Sequence, residues 1–301
     1  MREVIDSPSA AIRARASLTA QAILLGGLLA FVVIVLLIDR LRSVPTPVSA
    51  FTAVPLALIP ALLWMVYFYL RDIHEPEPTH YVIGVFLLGA LVAAPLAGWI
   101  TDALFKVPSW GALPRWGLTE AVAAFLVLAP AQEMSKYLVV RYTVYLSAEF
   151  DEPMDGIVYM SAAGLGFATA WNIVQMTRAP QLALTTAAIN AVTTTLAHAS
   201  LSGVVGFAMG RAKFIGREGH QTRVLALGLG AAVVLSGLFT MLENVATRHG
   251  LDYRPAWGLA SAAIFAILVF VLLSVLVDRH LSSSPHARRA STAFPVTEVK
   301  S

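Results

Sequence analysis

The sequence predicts an all-α protein, a polytopic transmembrane helical bundle of about eight transmembrane helices. Three observations carry this. Hydrophobic residues make up 57% of the 301 positions and charged residues 13%, about half the charge density of an ordinary soluble domain. The mean hydropathy is +0.73. The apolar residues also fall into blocks of roughly 20, the length a helix needs to cross a hydrocarbon core of about 30 Å. A soluble globule is excluded. The absence of cysteine removes disulfide frameworks, thiolate metal sites, cysteine nucleophiles and iron–sulfur ligation together, so any metal must be held by His and carboxylates. The net charge of +3 is too small and too dispersed for a nucleic-acid partner. The lipid bilayer is the partner that the bases answer to.

Reading apolar blocks bounded by charge or by Pro and Gly places the spans at Thr19 to Ile38, Val48 to Leu70, Tyr81 to Ala103, Leu118 to Val140, Gly156 to Met176, Gln181 to Gly210, Val224 to Val245 and Trp257 to Val277. The first follows basic residues and precedes Val48-Ser49-Ala50, a small-residue run of the kind that follows a signal peptide. Its apolar stretch is too long for a typical signal segment, and it reads as a retained helix. An even number of spans puts both termini on one side. With that side cytoplasmic, 13 bases lie inside and seven outside, so the positive-inside bias favours cytoplasmic termini. The chain thus divides into a cytoplasmic segment 1–18, a membrane domain 19–278 and a tail 279–301. That tail is rich in Ser, Ala and Arg and is expected to be flexible. The loops are short, so binding or catalysis belongs inside the bundle or at its rim.

Ionisable groups at mid-membrane cost about 2.5 to 3.5 kcal/mol each on insertion scales and usually face a bundle interior or a watery cavity. The fourth span carries Gln132, Glu133 and Lys136. Glu133 and Lys136 are spaced i,i+3, and Gln132 and Lys136 i,i+4, so they can meet on one face. Two readings stand: a self-neutralising ion pair, or a base or metal ligand at Glu133, with Pro130 kinking the helix to admit water. The fifth span holds Gly164, Gly166 and Asn172. The glycines allow close helix approach, and the Asn is either interhelical glue or a group that orients a carbonyl. The sixth span places Asn190, Thr194, His198, Ser202 and Gly206 at four-residue steps, a polar stripe winding along one side of the helix. His198, near its centre, is either a hydrogen-bonded core histidine or a ligand or base. Glu120 and Glu243 lie at helix ends, where carboxylates are mostly solvated.

Four strings, taken in order, resemble the PrsW family of multi-pass intramembrane proteases, related to the wider CAAX-processing glutamate protease superfamily. Asp72 to Pro78 matches an Asp-x-x-Glu-Pro-Glu-Pro stretch. Ala129 to Lys136 matches an Ala-Pro-x-Glu-Glu-x-x-Lys helix, with Gln132 at the first glutamate. Asp155 to Asn172 matches a run from Asp-Gly through Gly-x-Gly-Phe to Glu-Asn, with Met160 at a glycine and Trp171 at the glutamate. His198 through Gly210 to Lys213 matches the closing His helix.

The resemblance covers residues 65 to 215 and implies an intramembrane peptidase of a bacterial plasma membrane. The implied substrate is a single-span or juxtamembrane protein, and the implied site is drawn from Glu133, His198, Asn172, Gln132 and Lys136. A divalent metal such as zinc is an implied cofactor, with His198 and Glu133 as its ligands. A metal-free variant has Glu133 as base, His198 as proton donor and Asn172 steadying the oxyanion. A non-cleaving binding or regulatory protein is the alternative that Gln132 and Trp171 raise, with Glu243 as a further candidate for the carboxylate missing at Trp171. A transporter is the remaining reading, although no convincing internal repeat supports it. Counting about 1.5 Å per residue from the cytoplasmic ends puts Glu133 about 10 Å deep, His198 about 18 Å and Asn172 about 24 Å. Extending the fourth helix past Arg141 to about Leu146 brings Glu133 nearly level with His198, and that extension is expected.

Overall fold

The computed structural model describes residues 10–41, 48–71, 77–107, 122–178, 183–215, 219–249, 252–253, 260–261, 263–272 and 275. The expectations for Asp72 to Pro76, for Glu120, for the side chain of Glu243, for residues 1–9 and for the tail 279–301 lie outside these residues, whereas residues 10–18 of the N-terminal segment belong to the first helix. Among the described residues eight helices follow one another: α1 Ala10–Leu41, α2 Ala50–Arg71, α3 Thr79–Leu104, α4 (122–142), α5 Pro153–Arg178, α6 Leu184–Phe214, α7 His220–Thr247 and α8 Ala263–Leu272. A two-residue antiparallel pairing of Arg248–His249 with Asp252–Tyr253 follows α7.

Among the described residues, six of these helices are long and apolar enough to cross a membrane. The exceptions are α4, which carries Glu133, Lys136 and Arg141, and α8, described over a shorter stretch. Large apolar side chains such as Phe51, Leu91, Leu126 and Leu227 stand exposed on the outer surface, as lipid-facing positions do. The all-α bundle that composition and block length predict is the fold observed.

Two helices form its centre. In α5 and α6, 78% and 83% of the most apolar stretch is buried inside the protein, against 22% in α1 and in α7. Their sequences explain the position, because α5 and α6 meet through glycines. A Cβ at Gly156 would run into the carbonyl oxygen of Gly206, and one at Gly206 into the backbone of Gly156 and Ile157. Small residues at such a crossing let backbones touch, which is how helices associate where the solvent is itself apolar.

Both α3 and α4 widen into π-helical turns, Gly89–Ala93 in α3 and Ala124–Leu128 in α4. In each case a proline, Pro95 or Pro130, stands two residues beyond the turn. Proline lacks the amide that would bond one turn back, and its ring crowds that carbonyl, so the helix relaxes locally just before it. The kink expected at Pro130 takes this form.

Candidate active site

The site is built on α4, α5 and α6, and Lys136 is at its centre. Its Nζ donates to Glu133 Oε1 at 2.8 Å, the i,i+3 pair that the spacing predicts, and both side chains are fully buried. The same Nζ lies 3.4 Å from Nδ1 of His198 on α6. Glu133 and His198 are therefore at most two hydrogen-bond lengths apart, with the ammonium between them. Lysine offers only donors, so the imidazole nitrogen facing it presents its lone pair and the ring proton sits on Nε2. The second carboxylate oxygen, Glu133 Oε2, is buried and has no hydrogen-bond partner among the described residues. Such an atom leaves a strong acceptor open.

The surroundings are aromatic and tightly packed. The Phe167 ring of α5 lies 4.9 Å from the His198 ring, centroid to centroid, and Lys136 Nζ sits 5.3 Å from the Phe167 centroid, within cation–π range. Trp171 stacks on Phe167 one turn further along, with centroids 6.1 Å apart and planes 16° from parallel. Behind the site, Gly164 lets α5 press against α6 at the histidine itself. A Cβ there would come within 2.6 Å of the His198 carbonyl oxygen and of Ser202 Oγ. Helical spacing marks Lys136 and His198 in the sequence, but not Phe167, whose only signal is its place in the Gly-x-Gly-Phe string.

Of the remaining candidates, Gln132 is buried next to Glu133 but makes no hydrogen bond to Lys136 or His198 among the described residues. Lys136 turns to the i,i+3 carboxylate rather than to the i,i+4 amide. Asn172 is also fully buried, in a separate set of bonds. Its Oδ1 accepts from Thr194 Oγ1 at 2.6 Å, and its Nδ2 donates to Ala191 O and Thr195 Oγ1, each at 3.4 Å. These bonds run from α5 to α6 and do not include Glu133, Lys136 or His198.

The expected extension of α4 takes a different form. Regular helix stops at Tyr142, and Thr143 has left the helical region with φ −112° and ψ −81° while its hydroxyl bonds back to Val139 O at 2.6 Å. Turns follow through residue 149. They are held by Lys213 of α6, whose Nζ reaches the carbonyls of Tyr145 at 2.8 Å and Phe150 at 2.6 Å. The long Lys136 side chain, rather than a longer α4, closes the gap between Glu133 and His198.

A catalytic zinc usually takes three protein nitrogen or oxygen donors and keeps one open position. Among the described residues no three His, Asp or Glu side chains gather to hold an ion. The space between the one carboxylate and the one imidazole is filled by an ammonium, and this donor set does not fit a zinc.

Comparison with known proteins agrees with the order of the motifs. The sequence profile of the PrsW family intramembrane metalloproteases matches residues 77–277. Protease PrsW of Geobacillus kaustophilus is 35% identical over 164 residues, covering 54% of this chain and 68% of that protein. Protease PrsW of Bacillus subtilis is 29% identical over 198 residues, covering 64% of this chain and 85% of that protein. Protease PrsW of Clostridioides difficile is 24% identical over 231 residues, covering 76% and 91%. No solved structure matches. With its apolar helices and bacterial relatives the chain is a bacterial multi-pass membrane protein. A matched segment that spans both the acid of α4 and the histidine of α6 places this chain in the PrsW family of intramembrane peptidases.

Proposed function

We propose that this chain hydrolyses a peptide bond of a single-span or juxtamembrane protein substrate at Glu133 and His198. The observation that carries the reading is the unequal treatment of the two Glu133 oxygens. Oε1 is held by Lys136, whereas the buried Oε2 has no partner among the described residues. A water bound at Oε2 gives up its proton to the carboxylate as its oxygen attacks the substrate carbonyl. The Nε2–H of His198 then stands as donor to the oxyanion or to the departing amine, while Lys136 fixes the ring tautomer from the other side. Asn172 acts at one remove, holding α5 on α6 and so keeping Phe167 against the imidazole.

The test compares purified protein with Glu133→Gln and His198→Ala on a membrane-protein peptide. Each change is expected to lower cleavage by about 10² to 10⁴, the usual contribution of a general acid or base. Cleavage that survives both changes removes this site as the catalyst. Substrate binding without cleavage by the unaltered protein makes the chain a membrane-embedded binding protein instead.

The same reading places the protein in the plasma membrane with both termini in the cytoplasm, supported by 13 bases on that side against seven opposite. Reporter fusions active only in the cytoplasm, attached at either end, test it. An inactive fusion at both ends inverts the topology.

A further inference from the structure

The matched family is described as metalloproteases, yet the charges at this site already balance without a metal. One carboxylate, Glu133, faces one ammonium, Lys136, and both are fully buried. His198 adds a neutral acceptor to the same nitrogen. A divalent ion placed among them would bring two positive charges with no remaining carboxylate, among the described residues, to answer them. Inside a membrane-spanning bundle an uncompensated charge is costly.

The lysine belongs to the family pattern that this chain resembles, so its presence alone does not set the chain apart. What differs is the loss of acid around it. At the two places where the resemblance calls for further glutamates stand Gln132, a neutral amide, and Trp171, whose indole is stacked on Phe167. Steric considerations point the same way. A zinc bridging a carboxylate oxygen and an imidazole nitrogen sits about 2.0 to 2.2 Å from each. The Lys136 nitrogen already stands in that gap, 2.8 Å from one and 3.4 Å from the other. Lys136 has no exposed surface, and its ammonium is packed against the Phe167 ring.

We infer that Lys136 is the resident cation of this site, a charge tethered by the chain in the place a metal would take, and that Glu133 and His198 bind no zinc. The inference rests on geometry and charge count and holds whether or not the chain cleaves its substrate.

Metal content, read without substrate, tests it. Full-length protein in detergent is equilibrated with zinc chloride, freed of unbound ion by gel filtration, and analysed for metal beside Glu133→Gln and His198→Ala. The unaltered protein is expected to carry no zinc that either change removes. Zinc bound at an unrelated surface position persists in both variants and leaves Glu133 and His198 metal-free, as inferred. One zinc per chain in the unaltered protein that is lost in Glu133→Gln and in His198→Ala overturns the inference. Cobalt absorption guards against a variant that merely unfolds. A d–d band in the unaltered protein that shifts in folded His198→Gln also overturns it, and the absence of such a shift supports it.

Discussion

Lys136 Nζ lies 3.4 Å from His198 Nδ1, joining α4 to α6 through the same nitrogen that pairs with Glu133. Removing one partner of a buried ion pair leaves the other uncompensated, at a cost of about 3–5 kcal/mol. Lys136→Met should therefore lower the Tm in detergent markedly. The double change Glu133→Gln with Lys136→Met should be milder than the sum of the single changes, because no charge is then stranded. A double variant as unstable as that sum would show that the pair contributes through packing and not through charge.

Much of this arrangement is legible in the sequence because it follows helical spacing. The stripe Asn190, Thr194, His198, Ser202 and Gly206 marks the face of α6 that meets its neighbours. Thr194 bonds Asn172, His198 meets Lys136, Ser202 lies beside Gly164, and Gly206 touches Gly156. The Glu133–Lys136 pair was legible for the same reason. Contacts between distant segments left no such trace. Nothing in the spacing joins Glu77 to Tyr159, or Lys213 to the turns after α4, because a pairing across many residues has no period. Counting depths of Cα atoms does not foresee the contact of Lys136 with His198, because the reach of the Lys136 side chain spans the difference.

The glycines at the α5–α6 crossing should be sensitive to a single methyl group. Gly206→Ala drives a Cβ into the backbone of Gly156 and Ile157, and overpacking of this kind typically costs about 1–3 kcal/mol. Gly84 on α3 has nothing within 4 Å of where a Cβ would stand. Gly84→Ala is expected to be neutral or to stabilise by up to about 1 kcal/mol, as alanine does for glycine in an open helical position. In thermal melts Gly206→Ala should fall below the unaltered protein and Gly84→Ala at or above it. Equal melting temperatures would mean that α5 and α6 separate easily at this point.

Asn172 separates packing from chemistry. Its bonds go to Thr194, Thr195 and Ala191, and intramembrane hydrogen bonds of this type are worth about 0.6 to 1.7 kcal/mol. Asn172→Ala should lower stability by about that amount and reduce cleavage far less than Glu133→Gln does. A loss of cleavage as deep as that of Glu133→Gln, with the Tm unmoved, would instead give Asn172 a direct part in the reaction.

The Tyr159 hydroxyl on α5 donates to a carboxylate oxygen of Glu77, which stands just before α3. This bond fastens the entry of α3 to the central helix, and Tyr159 is fully buried beside Phe150, its ring stacked 6.2 Å away. Hydrogen bonds to a charged group contribute about 1.5–3 kcal/mol. Tyr159→Phe keeps the ring and removes only the donor, so the Tm should fall by an amount in keeping with one such bond. Amide exchange should quicken in the first turns of α3, from Thr79 onward, and stay unchanged in the Glu133–Lys136 region of α4. Quickened exchange across both regions would mean that the bond supports the whole bundle, whereas no change in either would mean that Glu77 is held by its other contacts.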